Sequence, residues 1–242
     1  HYLTRGWQHL LPHHGRADNL QKIGNLLGDF DLVALQEADG GSLRSGYVNQ
    51  VEHLAQLGAF PYWYQQLNRN LGRLAQHSNG VLSRLRPWAI EDHPLPGPKG
   101  RGAILVRFGE GPEALVVVMM HLALGARTRT RQLAYIRELI GGYKHQVLMG
   151  DMNTHASDLL EHSPLRDLSL LAPQLQATFP SWRPQRCLDH ILLSPSLTLE
   201  RVEVLAQPIS DHLPVAVEIR LPGSLTADAL PALSPAPRGT DE

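Results

Sequence analysis

The chain has 242 residues, of which 43% are hydrophobic and 19% charged, and its formal net charge is −1 at pH 7. This length suffices for one large folded domain, and the balanced charge gives no general basic surface for nucleic acid. The single cysteine, Cys187, excludes an internal disulfide and is typical of a reducing compartment, so a cytoplasmic location is expected. No apolar run approaches the roughly 20 residues of a membrane span, so stable membrane insertion is not expected.

The first half of the chain alternates helical and strand-like segments. Apolar residues at helical spacing predict helices over 17–28 and 49–58. A strand is predicted over 31–36, with Glu37 following at its end. Shorter strands, separated by Gly and Pro, are predicted near 62–66, 79–83, 87–91 and 103–108.

Three arginines in irregular segments are candidates for binding substrate. Residues 38–46 are rich in glycine, and their backbone N–H groups together with Arg44 could bind phosphate; a plain flexible connector explains the segment equally well. Arg5 lies in the opening segment, for which the composition favours an irregular surface loop. Arg186 precedes a site-bearing strand and is a plausible residue of the substrate rim.

The second half begins with the apolar run 115–120, which ends at His121. The next segment, 127–140, has helical periodicity, and residues 154–186 are rich in proline and are predicted to form loops with short helical pieces. The start of the helix carries a group of cations that is either solvated or poised for phosphate beside His121: Arg127, Arg129 and Arg131.

Polar residues follow five apolar, strand-like runs. The most informative run ends at Gly150 and leads to Asp151 and Asn153, which alternation along an extended chain puts on the same side. Carboxylates, an amide and histidines at strand edges suit a divalent metal with oxygen ligands and proton transfer by histidine. The other four runs lead to Gln36-Glu37, to His121, to Asp189-His190 and to Asp211-His212.

In their order and spacing these motifs resemble those of the endonuclease/exonuclease/phosphatase superfamily, which has the DNase I-like fold. The series is Gln-Glu, His-Leu, Gly-Asp-Met-Asn, Leu-Asp-His-Ile and Ser-Asp-His-Leu-Pro, and the segment 78–84 resembles the family's segment ending in Ser-Arg. The resemblance spans about residues 17 to 220. It implies an α/β four-layer sandwich, in which two mostly antiparallel sheets pack face to face with helices outside.

The resemblance also implies an opening strand that ends in an Asn beside the metal-binding Glu. The sequence from His1 onward shows no such strand. Either a truncation or a natural start further upstream is therefore expected.

The resemblance implies that one group of residues binds metal and phosphate. Glu37 would be a ligand of Mg²⁺ or Mn²⁺, and Asp211 would lie near the same ion or a second one. His212 would either bond the scissile phosphate or act as the general base, with Asp189 orienting its imidazole.

A second group would handle the attacking water. Asp151 and Asn153 would position or activate this water, and His121 would donate to a non-bridging phosphate oxygen. Whether Asp151 or His212 is the general base stays open, since coupled groups need not have separate assignments. His190 is not expected to be catalytic, although it follows Asp189.

The sequence therefore predicts a monomeric, metal-dependent phosphoesterase that hydrolyses phosphodiesters, with nucleic acid as the leading substrate class. The alternative is a phosphodiesterase or phosphatase acting on a phospholipid or a small molecule. An alternative of another class is an inactive fragment or a phosphate-binding module without turnover. One domain is predicted over 1–221, followed by a disordered tail over 222–242.

Overall fold

The computed structural model describes residues 14–41, 48–70, 76–208, 210–221 and 223–225. The helices in these ranges are α1 His14–Leu27, α2 Gln50–Leu57, α3 Ala126–Ile140 and α4 Ala156–Glu161, with short 3-10 helices at Pro164–Leu168 and Gly223–Leu225. The strands are β1 Leu32–Asp39, β2 Tyr62–Asn70, β3 Gln76–Ser83, β4 Ala89–Pro94, β5 Gly102–Phe108, β6 Leu115–Met120, β7 His145–Asp151, β8 Asp189–Leu193, β9 Thr198–Val204 and β10 Val215–Arg220. Within the same ranges, no helix combines the length and the apolar character needed to cross a bilayer.

The described strands form three sheets arranged in two layers. One layer is a five-stranded sheet with the order β4-β5-β6-β7-β8, in which only β6 and β7 are parallel. The parallel pair follows from α3, which provides the crossover between these two strands. The other layer consists of a three-stranded sheet, β1-β3-β2, and a two-stranded sheet, β10-β9.

Strand β6 shows why the five-stranded sheet is apolar on both faces. All six of its residues are buried. Val117 and Met119 lie in the core between the two sheet layers, whereas Val116, Val118 and Met120 lie in the core under α3. The continuous apolar run in the sequence therefore reflects a strand that is covered on both sides.

Helices α1 and α2 cover the outer face of the three-stranded sheet. Val51 and Leu54 of α2 share a core with Val33 of β1 and Leu82 of β3. Gly80 permits this close approach, because a Cβ there would lie 2.7 Å from Val51 Cγ2. Helices therefore lie outside both sheet layers, which confirms the predicted four-layer α/β sandwich.

Strand β1 differs from the predicted strand 31–36 at its end. It continues to Asp39 through a register shift between Leu35 and Ala38, where it pairs with β3. Glu37 therefore lies in a bulge inside the strand, and the prediction that it follows the strand's end is wrong. Pairing to β3 on both sides of the bulge is what extends the strand beyond its apolar run.

The packed part of the chain includes a residue close to the predicted domain end. Leu225 is 5% exposed and lies in the core between the sheet layers. Residues 226–242 lie outside the described ranges, so disorder there stays a prediction.

Candidate active site

The candidate site lies at the sheet edge where β6 and β7 end. His121 directly follows β6, and β7 ends at Asp151. Because β6 and β7 are parallel, both ends lie at the same edge. Strand β8 runs antiparallel to β7, and its first residue, Asp189, pairs in register with Asp151. The topology therefore brings three of the sequence-predicted residues together.

Hydrogen bonds join the ends of β6 and β7 beyond their last paired residues. The N–H of Leu122 donates to the Asp151 carbonyl at 3.0 Å, and the Asn153 side-chain amide donates to the Leu122 carbonyl at 2.9 Å. The Asn153 N–H also donates to Asp151 Oδ1 at 2.9 Å. Asn153 has φ +51°, a left-handed conformation that Asn tolerates well. A tight turn, rather than the predicted alternation of an extended chain, thus makes these two side chains neighbours.

Gly150 brings β1 to the same edge. It has φ +138°, and a Cβ at this position would lie 2.0 Å from the Met120 carbonyl oxygen and 2.3 Å from Gln36 Nε2. In the space left free, the Gln36 amide donates to the Met120 carbonyl at 3.0 Å. The three strands β1, β6 and β7 meet there because no side chain separates them.

The bulge in β1 places Glu37 beside this edge. Glu37 has φ +55°, and its side chain is 65% exposed. Its Oε1 lies 4.0 Å from His121 Nδ1. A bulge commonly re-aims a side chain near an active site, and here it turns a carboxylate toward the end of the neighbouring sheet.

His121 connects this carboxylate to Asp151. The imidazole is buried, and its Nε2 lies 3.4 Å from Asp151 Oδ2 and in contact with Arg101 Nη1. Burial raises the pKa of Asp151, but the hydrogen bond and charge of His121 and the N–H of Asn153 outweigh it and hold this pKa below its ordinary value. Asp151 is therefore ionised at neutral pH.

His212 and Asp189 form a second pair at the site. His212 Nδ1 donates to Asp189 Oδ2 at 2.7 Å, and the Thr178 hydroxyl donates to the same oxygen at 2.5 Å. The Phe179 ring packs on the imidazole, with ring centroids 4.7 Å apart. Burial lowers the pKa of His212, but the bond to Asp189 and the surrounding carboxylates outweigh it and raise this pKa above the ordinary value. One of these carboxylates is Asp151, which couples the two pairs electrostatically.

The loop that carries His212 is fixed by the loop before β8. The N–H of Ser181 donates to the Asp211 carbonyl at 2.8 Å, and the N–H of Leu213 donates to the Thr178 carbonyl at 2.9 Å. Asp211 is exposed, and its charge is among those that raise the pKa of His212. The structure thus places Asp211 on the His212 side of the site.

Comparison with known proteins identifies the family. The model of the Endonuclease/Exonuclease/phosphatase family matches residues 11–212. The chain belongs to this family. No match was found among curated proteins.

Solved structures of this family share the fold at low sequence identity. An endonuclease/exonuclease/phosphatase from Beutenbergia cavernae DSM 12333 is 20% identical with a TM-score of 0.68, and the match covers 84% of this chain and 66% of that one. A mannosyl-6-phosphatase from Bacteroides thetaiotaomicron VPI-5482 is 18% identical with a TM-score of 0.64, covering 87% and 97%. The catalytic domain of human Nocturnin with bound sulfate is 16% identical with a TM-score of 0.62, covering 87% and 88%.

The described side chains do not form a closed metal-binding cage. Among the described residues, no group of three or more His, Cys, Asp and Glu side chains is spaced to hold a metal ion. Mg²⁺ usually binds proteins through one or two carboxylates and completes its shell with waters and substrate phosphate oxygens. The exposed carboxylate of Glu37, at the edge where the other site residues meet, has the chemistry for this mode.

A cavity of about 200 Å³ adjoins Glu37 and His121. Its lining shows a functional candidate that the sequence did not reveal, Arg101, which contacts His121. The only sequence signal was a basic residue before the apolar run of β5, which a solvated loop would show as well. The remaining lining residues are Asn68, His77, Ser78, Asn79, Lys99 and Gly100.

The arginines singled out from the sequence have different outcomes. Arg5 and Arg44 lie outside the described residues. Arg186 has an exposed side chain, and its N–H donates to the Phe179 carbonyl at 2.9 Å, so its backbone helps to shape the loop around His212. Arg129 donates to the Ala123 carbonyl at 3.3 Å and also to the next carbonyl along the chain, which gives this arginine a structural role after β6.

His190 is buried and hydrogen-bonded to the backbone. Its side chain is 1% exposed, and its Nε2 donates to the Thr154 carbonyl at 2.8 Å. This bond joins β8 to the turn after β7, behind the site residues.

Proposed function

We propose that the protein is a hydrolase of phosphoester bonds that depends on a divalent metal and cleaves phosphodiesters. The main support for this proposal is that two electrostatically coupled acid–histidine pairs meet at one sheet edge, beside the exposed Glu37. The pairs are Asp151 with His121 and Asp189 with His212. Membership of the family supports phosphoester hydrolysis as the class of chemistry.

The opposed pKa shifts favour different roles for Asp151 and His212. Asp151, with its lowered pKa, stays ionised and can accept a hydrogen bond from the attacking water. His212, with its raised pKa, is more readily protonated and can donate to the phosphate. Pairs of titratable groups whose pKa values are pushed apart commonly mark acid and base roles. Asn153 would help to orient the water through its contact with Asp151.

The contact between Asp189 and His212 also indicates which imidazole nitrogen is available to the substrate. Since Nδ1 donates to Asp189, Nε2 is the nitrogen available to substrate. Asp189 thereby orients the ring and stabilises its protonated form. His121 would stabilise charge on a non-bridging phosphate oxygen, because it is a basic group at the edge of the cavity beside Glu37.

Mg²⁺ or Mn²⁺ would be held by Glu37, with Asp211 as the candidate ligand of the same ion or a second one. When bound, such an ion neutralises phosphoryl charge and lowers the pKa of a coordinated water. The exposure of both carboxylates to solvent supports these assignments.

Nucleic acid is the leading substrate class, and a small phosphorylated molecule is the second. The second is favoured by the confined cavity beside His121 and by the mannosyl-6-phosphatase among the similar structures. A phosphate-binding module without turnover is the alternative of another class.

Hydrolysis of bis-p-nitrophenyl phosphate tests the proposal. We expect turnover with Mg²⁺ or Mn²⁺, none with EDTA, and a loss of at least about a hundredfold in kcat for His212→Ala. His162→Ala, which removes an exposed histidine away from the site, is the matched control and should retain activity. If this diester, a single-stranded oligonucleotide and a sugar phosphate all resist cleavage with every metal, the catalytic proposal fails and the binding module replaces it.

A further inference from the structure

The cavity beside His121 gathers basic side chains that lack carboxylate partners. Lys99, Arg101 and His77 line it, and Glu37 is the one carboxylate in its lining. Among the described residues, neither Lys99 nor Arg101 forms an ion pair with a carboxylate. Some of the exposed basic residues elsewhere do so: Lys144 with Glu113 at 2.9 Å, Arg137 with Asp167 at 3.0 Å and Arg220 with Glu200 at 2.8 Å. Cations without acidic partners in a concave site attract an anionic ligand.

The floor of the cavity is polar and held in place by the fold. Ser78 and Asn79 are each 1% exposed. The Ser78 hydroxyl donates to the Ala38 carbonyl at 2.8 Å, and the Asn79 amide donates to Gln66 Oε1 at 3.1 Å and to the Gly102 carbonyl at 3.2 Å. The cavity therefore has a preformed floor, which lowers the ordering cost of binding.

The basic wall belongs to the loop that leads into β5. Gly100 has φ +102°, a conformation that residues with a side chain rarely adopt, and both of its neighbours, Lys99 and Arg101, line the cavity. Arg101 also contacts His121, so the cavity is continuous with the candidate active site.

The cavity is open to solvent on one side, and its volume of about 200 Å³ is below the roughly 300–1,000 Å³ of pockets that bury a whole small-molecule ligand. This volume suits one compact group of a substrate, with the rest of the substrate outside the cavity. With two unpaired cations and a histidine in the wall, that group is a multiply charged anion. A phosphomonoester fits this chemistry better than a carboxylate, since it carries up to two charges and three acceptor oxygens.

We propose that this cavity is a subsite for a second phosphate group, carried by the substrate beside the scissile one. The inference rests on the proposed function, because it adds a specificity element to the same site. Lys99 is the specificity-determining residue. Among the described residues, no hydrogen bond or ion pair joins it to the other site residues. The second phosphate can belong to a nucleotide or to a phosphorylated sugar, and the binding test separates the two.

Calorimetric titration with two pairs of ligands tests the subsite without requiring turnover. The nucleotide pair is thymidine 3′,5′-bisphosphate and thymidine 5′-monophosphate, and the sugar pair is glucose 1,6-bisphosphate and glucose 6-phosphate. Each pair is titrated with and without Mg²⁺. We expect the bisphosphate of at least one pair to bind about tenfold more tightly than its monophosphate, as charge-assisted contacts to the added group would give. The pair that shows this preference identifies the source of the second phosphate.

Two lysine variants give the matched comparison. Lys99→Ala should remove most of the preference, whereas Lys22→Ala, which removes the same charge from the exposed side of α1, should keep it. Equal affinities within both pairs for the wild type, or an unchanged preference in Lys99→Ala, would overturn the subsite. Turnover of bis-p-nitrophenyl phosphate without any bisphosphate preference contradicts the subsite alone. A preference without turnover on any substrate supports the subsite and contradicts the catalytic proposal.

Discussion

At the scale of single residues, the contact between Asp189 and His212 sets the protonation of the imidazole. Asp189→Asn keeps the shape but replaces an acceptor with an amide, which no longer stabilises a proton on Nδ1 or the charged ring. We expect kcat to fall by about 10²–10⁴ with little change in KM, because the change acts on the chemical step. Steady-state kinetics on bis-p-nitrophenyl phosphate measure this. Asp29→Asn, the same change at an exposed aspartate, is the control and should leave kcat unchanged. An unaltered kcat in Asp189→Asn would contradict the orienting role of Asp189.

Glu37 is the residue that most directly tests the metal proposal. In Glu37→Gln the side chain keeps its size but loses the charge that binds a cation. We expect the Mg²⁺ concentration for half-maximal activity to rise by at least about tenfold. Glu110→Gln provides an exposed carboxylate control. An unchanged metal dependence in Glu37→Gln would mean that the ion, if required, is held elsewhere.

The buried His190 gives a prediction for stability against pH. Burial lowers its pKa below 6.5, despite the hydrogen bond to the Thr154 carbonyl. As the pH falls from 6.5 toward the pKa of His190 in the folded protein, the unfolded chain binds a proton that the folded protein does not. The free energy of unfolding therefore decreases in that pH range. In His190→Gln, whose amide can still donate to this carbonyl, that loss should be absent.

Urea unfolding at about pH 7.5 and about pH 5.5 checks this prediction. The wild type should lose more stability between the two conditions than His190→Gln does. The raised pKa of His212 acts in the opposite direction, but it is common to both proteins and cancels in the comparison. Equal losses would show that His190 titrates normally in the folded state.

At the scale of elements, Gly150 decides whether β1, β6 and β7 can converge. Gly150→Ala introduces a Cβ that would lie 2.0 Å from the Met120 carbonyl, at a φ of +138° that L residues rarely adopt. Separation of these strand ends should lower the free energy of unfolding by about 3 kcal/mol or more and reduce activity as well. Gly142→Ala meets nothing within 4 Å and should change stability by less than about 1 kcal/mol. Chemical denaturation of both variants measures the difference, and similar stabilities would refute the packing argument.

The same elements show how far the sequence alone reaches. Strands β6 and β7 are predictable because they are covered on both faces and therefore read as apolar runs ending in polar residues. Strand β9 is not among the predicted strands, since most of its residues are exposed and carry little apolar signal. Its pairing with β10 depends on a distant segment, which local periodicity does not contain.

The candidate site was predictable in its residue types but not in its geometry. Asp151, Asn153 and His121 were indicated by their positions after apolar runs. The bulge that aims Glu37 and the turn that holds Asn153 depend on register shifts and on a left-handed φ, which no alternation pattern encodes. Arg101 reaches His121 only because β5 pairs with β6, so this contact depends on tertiary structure and cannot be predicted from the local sequence.

At the scale of the whole molecule, the site spans both sheet layers. Glu37 comes from the three-stranded sheet, whereas His121 and Asp151 come from the five-stranded sheet across the inter-sheet core. The relative position of these layers therefore sets the distance between Glu37, the proposed metal ligand, and His121, a proposed catalytic residue. Since that core is built from large buried side chains such as Phe108 and Met119, the spacing is fixed by packing rather than by loops.

The net charge of −1 leads to a further prediction for nucleic acid, the leading substrate class. Among the described residues, the proposed contacts to phosphates beyond the scissile one are two cations of the cavity wall, Lys99 and Arg101. Two such contacts give a slope of about −1.4 for log affinity against log salt on a single strand. The KM for a single-stranded oligonucleotide should then rise by only about sevenfold between about 50 mM and 200 mM salt, compared with about 10³–10⁵ for proteins that contact many phosphates.

Steady-state kinetics across this range, with Lys99→Ala beside the wild type, measure the slope. The variant should lose about half of it, because one of two counterion-releasing contacts is gone. A steep salt dependence would instead indicate contacts to many phosphates, and a flat one would favour a small phosphorylated molecule as the substrate.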